Sequence, residues 1–76
     1  MQRLLTPAAL PIVKFVLQDE HGNFLAFSED TKQYTWIEMF GDKTMKKFDT
    51  PLEADVILRR LNPKGFIRVT INDRLR

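Results

Sequence analysis

The side chains able to perform acid–base or metal chemistry are few and lie in predicted turns. His21, the only histidine, follows Asp19 and Glu20, and the chain has no cysteine. A metal site or a general base needs several partner groups, which a lone histidine beside two carboxylates does not supply. The sequence therefore predicts no metal ion and no cofactor.

Motifs for nucleophilic catalysis and phosphate binding are also missing from the sequence. Ser28 lies in neither a Gly-x-Ser-x-Gly nor a Ser-x-x-Lys frame, and the three scattered glycines form no phosphate loop. No spacing predicts a catalytic pair among the carboxylates, such as Asp30, Glu38, Asp42, Asp49 and Asp55. We therefore expect no enzymatic activity.

Basic residues are concentrated in the second half of the chain. Residues 1–40 hold three basic and five acidic side chains, net −2, whereas residues 41–76 hold nine basic and five acidic ones, net +4. Because Tyr34, Trp36 or Phe66 could stack on bases, a nucleic-acid-binding module is an alternative function. Acids are interleaved with these bases, so solvation of the surface explains the same charges.

The stretch KKFDTPLEADVILRRLN, residues 46–62, predicts a capped helix over residues 51–61. Thr50 suits the N-cap, Pro51 suits the first helical position, and Glu53 has the spacing of a capping box. Asn62, in a left-handed conformation, and the following proline would end the helix. One apolar stripe should face the sheet; it consists of Ala54, Ile57, Leu58 and Leu61.

The opposite face of this helix is the predicted partner-binding surface. Leu52 and Val56 are flanked there by two arginines, Arg59 and Arg60. Apolar residues beside arginine are typical of the centres of protein interfaces. Residues of second rank for binding are Trp36, Lys46 and Lys47. In the alternative explanation, leucines of the lead-in cover this face, namely Leu4, Leu5 and Leu10.

Period-two apolar patterns predict five strands around the helix. They cover residues 11–18, 24–29, 34–40, 45–49 and 66–73, followed by a frayed end at residues 74–76. Short hairpin turns imply antiparallel pairing, and the helix must bury its stripe on the sheet. The predicted fold is α+β, with an antiparallel sheet of four to five strands and one helix on one face, in the order β-β-β-β-α-β.

The third predicted strand has apolar side chains on both faces. Tyr34, Trp36 and Phe40 share one face, and Ile37 and Met39 share the other. A sheet covered on both faces has this pattern, whereas a half-solvated sheet alternates cleanly. The sequence leaves three covers for the second face open: the lead-in, a second copy of the chain, or a partner.

Length and composition place these elements in a single domain, residues 1–76, with a lead-in arm at 1–11 and an α+β core at 12–73. No apolar run approaches the ~20 residues that cross a bilayer. The lead-in has the pattern of neither a signal peptide nor an anchor, so no membrane association is expected. The absence of cysteine fits a reducing compartment, and the predicted location is the cytoplasm.

The layout GNFLAF … YTW … KKFDTPLEADVILRRL, within residues 13–61, resembles a loose class of small phage and mobile-element proteins of unknown function. The resemblance lies in a Gly-x-aromatic-Leu hairpin, a tryptophan strand and a Phe-x-Thr-x-x-Glu-Ala helix start. The residues that carry it are Gly22, Phe24, Leu25, Trp36, Phe48, Thr50, Glu53 and Ala54. It implies a phage origin and supplies no catalytic residues.

These observations predict non-catalytic protein binding. In this interpretation the chain is a phage-encoded modulator or inhibitor that occludes a host protein in the host cytoplasm. A nucleic-acid-binding module that uses basic and aromatic residues is the alternative. A homodimer that buries the aromatic sheet face is a third hypothesis.

Overall fold

The computed structural model describes residues 10–76 and confirms the α+β fold class: a five-stranded antiparallel sheet carries one helix. The strand order across the sheet is β3-β2-β1-β4-β5. The elements are β1 Val13–Gln18, β2 Phe24–Ser28, β3 Gln33–Ile37, α1 Pro51–Leu61, β4 Phe66–Ile71 and β5 Arg74–Leu75. The fifth strand therefore follows β4, and the predicted strand before the helix is replaced by a different arrangement.

That arrangement is a segment, residues 45–48, that crosses from β2 to β1. β1 pairs with β4 over all six of its residues but with β2 only at Gln18 and Phe24. The segment fills the resulting gap through isolated bridges of Met45 to β2 and of Phe48 to β1. The predicted strand over 45–49 is wrong, because these residues change partner after a single bridge instead of extending one ladder.

The ends of the third and last strands also differ from the prediction. β3 ends at Ile37 rather than at residue 40. The predicted strand over 66–73 ends at Ile71, since Asn72 and Asp73 have φ values of 51° and 63°. Two consecutive residues with positive φ form the turn of a tight hairpin, a conformation that Asn and Asp tolerate. The predicted frayed end is accordingly wrong for Arg74 and Leu75, which pair with β4.

Helix α1 begins at the predicted residue, with only the Thr50 half of the predicted capping box among residues 10–76, and it ends differently. The hydroxyl of Thr50 accepts a hydrogen bond from the backbone N–H of Glu53 at 3.2 Å. Asn62 adopts an extended rather than a left-handed conformation and donates its N–H to the Leu58 carbonyl at 2.7 Å. Leu61, predicted to face inward, is 41% exposed because it is the last helical residue, where the chain turns away. Within residues 10–76, no helix has the length and apolar character needed to cross a membrane.

Apolar clusters cover both faces of the sheet. The cluster on the helix side contains Leu17, Leu25, Phe48, Ala54 and Leu58, flanked by Phe15, Trp36, Ile57 and Ile67. The cluster on the other face contains Val16, Phe24 and Met45, flanked by Ile37, Phe40 and Leu75. Phe40 was predicted on the face of Trp36, but it lies beyond β3, where its ring contacts Phe24 at 5.2 Å on the opposite face. Loop residues and β5 thus supply cover that the sequence left open.

Candidate protein-binding groove

A groove of about 530 Å³ runs between α1 and β3 on the helix side of the sheet. Among the strands, α1 lies closest to β1 and β4. It reaches Leu25 and Trp36 at the edge of the helix-side cluster, and Phe27 and Tyr34, with ring centroids 5.0 Å apart, lie beyond that cluster. The residues that line the groove are Tyr34, Lys46, Lys47, Phe48, Asp49, Leu52, Glu53, Val56 and Ile57.

The helix wall of the groove is apolar and accessible. Leu52 is 72% exposed and Val56 is 46% exposed, one helical turn apart. Ile57 beside them is partly buried against the helix-side cluster. Leu10 is 87% exposed, so this leucine does not cover the wall as the alternative explanation requires. Leu4 and Leu5 lie outside the described residues.

The crossing segment forms the opposite wall and fixes the position of a lysine there. The N–H of Lys46 donates to the Leu25 carbonyl at 2.8 Å. Its ammonium lies 5.5 Å from the centroid of the Phe48 ring, in a cation–π arrangement. Across residues 10–76, no carboxylate lies within ion-pair distance of this ammonium. Lys46 therefore offers the groove a positive charge next to an aromatic ring.

The neighbouring charges at this wall are already paired. The Lys47 ammonium bonds to the Asp73 carboxylate at 2.7 Å. Asp49 forms an ion pair with Lys14, and this hydrogen bond and positive charge hold the pKa of the Asp49 carboxyl below its usual value. Lys47 is a predicted binding residue and lines the groove, but its ammonium is paired with Asp73 in the turn between β4 and β5.

The structure brings some of the predicted binding residues into the groove and places others elsewhere. Leu52, Val56, Lys46 and Lys47 line it. Arg60 follows Val56 by one turn and continues the same side of the helix. Arg60 does not line the groove, and neither do the other two predicted residues: Arg59 bonds to Asp55 at 2.9 Å, and Trp36 packs against the helix-side cluster.

Sequence reasoning missed Tyr34 and Phe48 as parts of this surface. Both were assigned to strands, and their role depends on where the helix lies on the sheet. β2 and β3 carry more aromatic side chains than one helix could cover, and this excess could have indicated an exposed aromatic surface. That signal indicates an open face and does not indicate which half of the sheet is open.

Hydrogen bonds to the Asp19 carboxylate hold the turn that contains His21. The Asp19 carboxylate accepts hydrogen bonds from the N–H groups of His21 at 2.9 Å and Asn23 at 2.8 Å. Burial by itself raises the pKa of the Asp19 carboxyl, but these hydrogen bonds outweigh burial and hold its pKa below the ordinary value. In the described part of the chain, no group of three or more His, Cys, Asp and Glu side chains is placed to hold a metal ion.

Two of the nine basic residues in the second half of the chain, Lys47 and Arg59, form ion pairs with carboxylates among the described residues. Lys14 and Lys32, in the first half, are also paired. The remaining bases are distributed over β4, β5, the helix end and the loops. Seven of the nine bases thus have no ion-pair partner among residues 10–76, and they are spread over several elements.

Comparison of the chain with protein-family models, with curated proteins and with solved structures finds no match.

Proposed function

We propose that this protein is a non-catalytic protein-binding domain and that the groove between α1 and β3 is its binding surface. The observation that carries the proposal is the exposure of Leu52 and Val56 on one wall, opposite Tyr34 and Phe48. Binding energy in protein interfaces is concentrated in apolar and aromatic residues that become buried together. The ammonium of Lys46, which has no ion-pair partner among residues 10–76, adds a polar contact that selects the orientation of a partner.

On this proposal the domain acts by steric occlusion, because the groove offers a preformed surface and the sequence provides no catalytic motif. The resemblance to phage and mobile-element proteins implies a host protein as the partner. A partner segment that enters the groove would be covered on two sides, by α1 and by the crossing segment. The covered segment would then be blocked from the partner's other ligands.

A double variant, Leu52→Asp with Val56→Lys, tests the proposal. It removes both exposed apolar side chains and leaves the net charge unchanged. The new acid lies four residues before the new base, a spacing that stabilises helices, and the acid lies near the helix N-terminus, where negative charge is favourable. The fold should therefore be retained, which circular dichroism and the unfolding midpoint check.

The measurement is affinity capture from a bacterial lysate with quantitative mass spectrometry, using tagged wild-type protein, the double variant and a control. The control is Met39→Asp, since Met39 is 69% exposed, close to the value for Leu52, and lies outside the groove. We expect at least one captured protein to fall about 10-fold or more with the double variant and to persist with the control. Equal capture by all three proteins would exclude the groove as the binding surface.

A further inference from the structure

β3 is an edge strand with main-chain groups that point away from the sheet. On β2, the Leu25 carbonyl and the Phe27 N–H bond to the crossing segment and to Thr44. Main-chain groups alternate in direction along a strand, so Ala26 between them bonds toward β3, where its partner is Thr35. The same alternation on β3 directs the N–H and C=O groups of Tyr34 and Trp36 outward, beyond the sheet.

These outward groups have no hydrogen-bond partner among residues 10–76. Edges of this kind are usually protected by proline, by charged side chains or by shortness. β3 has the sequence Gln-Tyr-Thr-Trp-Ile, five residues without proline or charge. The opposite edge of the sheet, β5, is only two residues long. β5 leaves the start of β4 uncovered, and that part of the edge carries the charged Arg68. The sheet thus has one edge that is short and charged and one edge, β3, that is neither.

The side chains of β3 specify what kind of strand would fit. Tyr34 and Trp36 lie on the groove side, across from Phe27 and Leu25. Gln33 and Thr35 lie on the other side and are exposed. An added strand would therefore meet aromatic side chains on one of its faces and polar side chains on the other, a period-two pattern.

We propose that the partner binds as an extended segment that adds a strand to β3, with apolar side chains at alternate positions and polar ones between them. This inference rests on the proposed function and adds a contact outside the groove, because a strand paired with the outer edge of β3 lies beside the groove and not within it. Main-chain hydrogen bonds to Tyr34 and Trp36 supply affinity, and the apolar side chains continue the apolar surface of the groove beside Tyr34.

Two variants of one residue separate the main-chain contribution from that of the ring. Tyr34→Ala removes the ring and keeps the outward N–H. Tyr34→Pro removes the ring and also the N–H, and proline is tolerated on edge strands where the N–H faces away from the sheet. The bonds of Thr35 to β2 remain in both variants. The comparison of these two proteins reports on the outward hydrogen bond.

The probe is a synthetic dodecapeptide selected from a random display library on immobilised wild-type protein. We expect Tyr34→Pro to weaken its binding about 10-fold more than Tyr34→Ala. In the wild-type complex, amide exchange of Tyr34 and Trp36 should slow at least about 10-fold relative to the free protein. The exchange measurement needs no variant, so it stays decisive if Tyr34→Pro fails to fold.

Four results would overturn the inference. Equal affinities of the two variants together with unchanged amide exchange would mean that the bound segment does not pair with β3. Slow exchange of both amides in the unliganded monomer would show that this chain already covers the outer edge of β3. Slow exchange that appears only on dimerisation would show that a second copy of the chain pairs with that edge. If Tyr34→Pro leaves binding unchanged but the Leu52→Asp, Val56→Lys protein does not bind, the groove still binds a partner. In that case only the proposed strand addition to β3 is wrong.

Discussion

Phe15 and Phe48 exchange both main-chain hydrogen bonds, at 2.8 and 2.7 Å, although Phe48 belongs to no strand. The Phe48 ring is buried in the helix-side cluster and also lines the groove. This residue therefore joins the crossing segment to the centre of the sheet and shapes the proposed binding surface at the same time.

Truncation of Phe48 should destabilise the protein strongly. We expect Phe48→Ala to lower the free energy of unfolding by about 3–5 kcal/mol, because it leaves a cavity between β1, β2 and α1. The milder Phe48→Leu should cost about 1–2 kcal/mol and keeps the experiment informative if the alanine variant does not fold. Urea denaturation measures both. Phe66→Ala is the control, since Phe66 is 46% exposed whereas Phe48 is buried. A cost as large as that of Phe48→Ala would contradict the assignment.

A methyl group at Gly65 should be poorly tolerated. A Cβ atom there would lie 2.7 Å from the Gln18 carbonyl oxygen and 2.9 Å from Cδ1 of Leu58. We expect Gly65→Ala to cost about 1–3 kcal/mol through overpacking. Gly41→Asn is the comparison: nothing lies within 4 Å of its Cβ position, so its cost comes only from the positive φ, which Asn adopts more readily than most residues. An unfolding midpoint unchanged by Gly65→Ala would exclude the close approach.

The two halves of the predicted capping box should contribute unequally. The hydroxyl of Thr50 accepts the N–H of Glu53, but the Glu53 side chain makes no hydrogen bond within the described residues. We expect Thr50→Ala to lower the free energy of unfolding by about 1 kcal/mol and Glu53→Ala to lower it by only about 0.3 kcal/mol. Equal losses in thermal or urea unfolding would show that the reciprocal bond forms in solution.

Acid should unfold the protein partly through Asp19. Because its pKa is lowered in the folded state, its carboxylate contributes stability that is present above the unfolded pKa, about 4, and is lost as the pH falls through the folded pKa. We expect the urea midpoint to fall between about pH 5 and pH 2, and to fall less steeply for Asp19→Asn.

Glu20, Asp42 and Asp49 also have lowered pKa values, each through a hydrogen bond to its carboxylate, and they contribute to the same acid sensitivity. The informative quantity is therefore the difference in slope between the wild-type protein and the Asp19 variant. Parallel pH profiles would show that the Asp19 hydrogen bonds do not depend on its charge.

Local sequence patterns predicted the elements in which the paired or capping residues are close together in the sequence. The start of α1 follows from Thr50 and Pro51, and the buried Ala54 and Leu58 follow from the apolar stripe. The β4–β5 hairpin was missed, because its second strand is two residues long and its turn lacks the glycine that usually marks positive φ. A period-two pattern can be recognised only over several alternations of apolar and polar residues, and a two-residue strand contains only one.

The crossing segment was mispredicted for a different reason. Met45 and Phe48 are apolar and flank two lysines, a pattern that predicts a short strand. Whether such residues form one ladder or bridge two strands depends on how far β1 and β2 diverge, which is a property of the whole sheet. The exposed wall of Leu52 and Val56 could be predicted from the helix alone, whereas the opposite wall required the position of this segment.

The long β1–β4 ladder affects how fast the chain can fold. Lys14 and Thr70, paired across it, are separated by 56 positions in the sequence. Closing such a loop costs chain entropy before any of the six pairs is formed, and domains rich in distant pairings fold more slowly than helical ones of equal size. Stopped-flow refolding should therefore fall in the millisecond-to-second range typical of sheets with distant pairings, although the helix itself forms in about a microsecond.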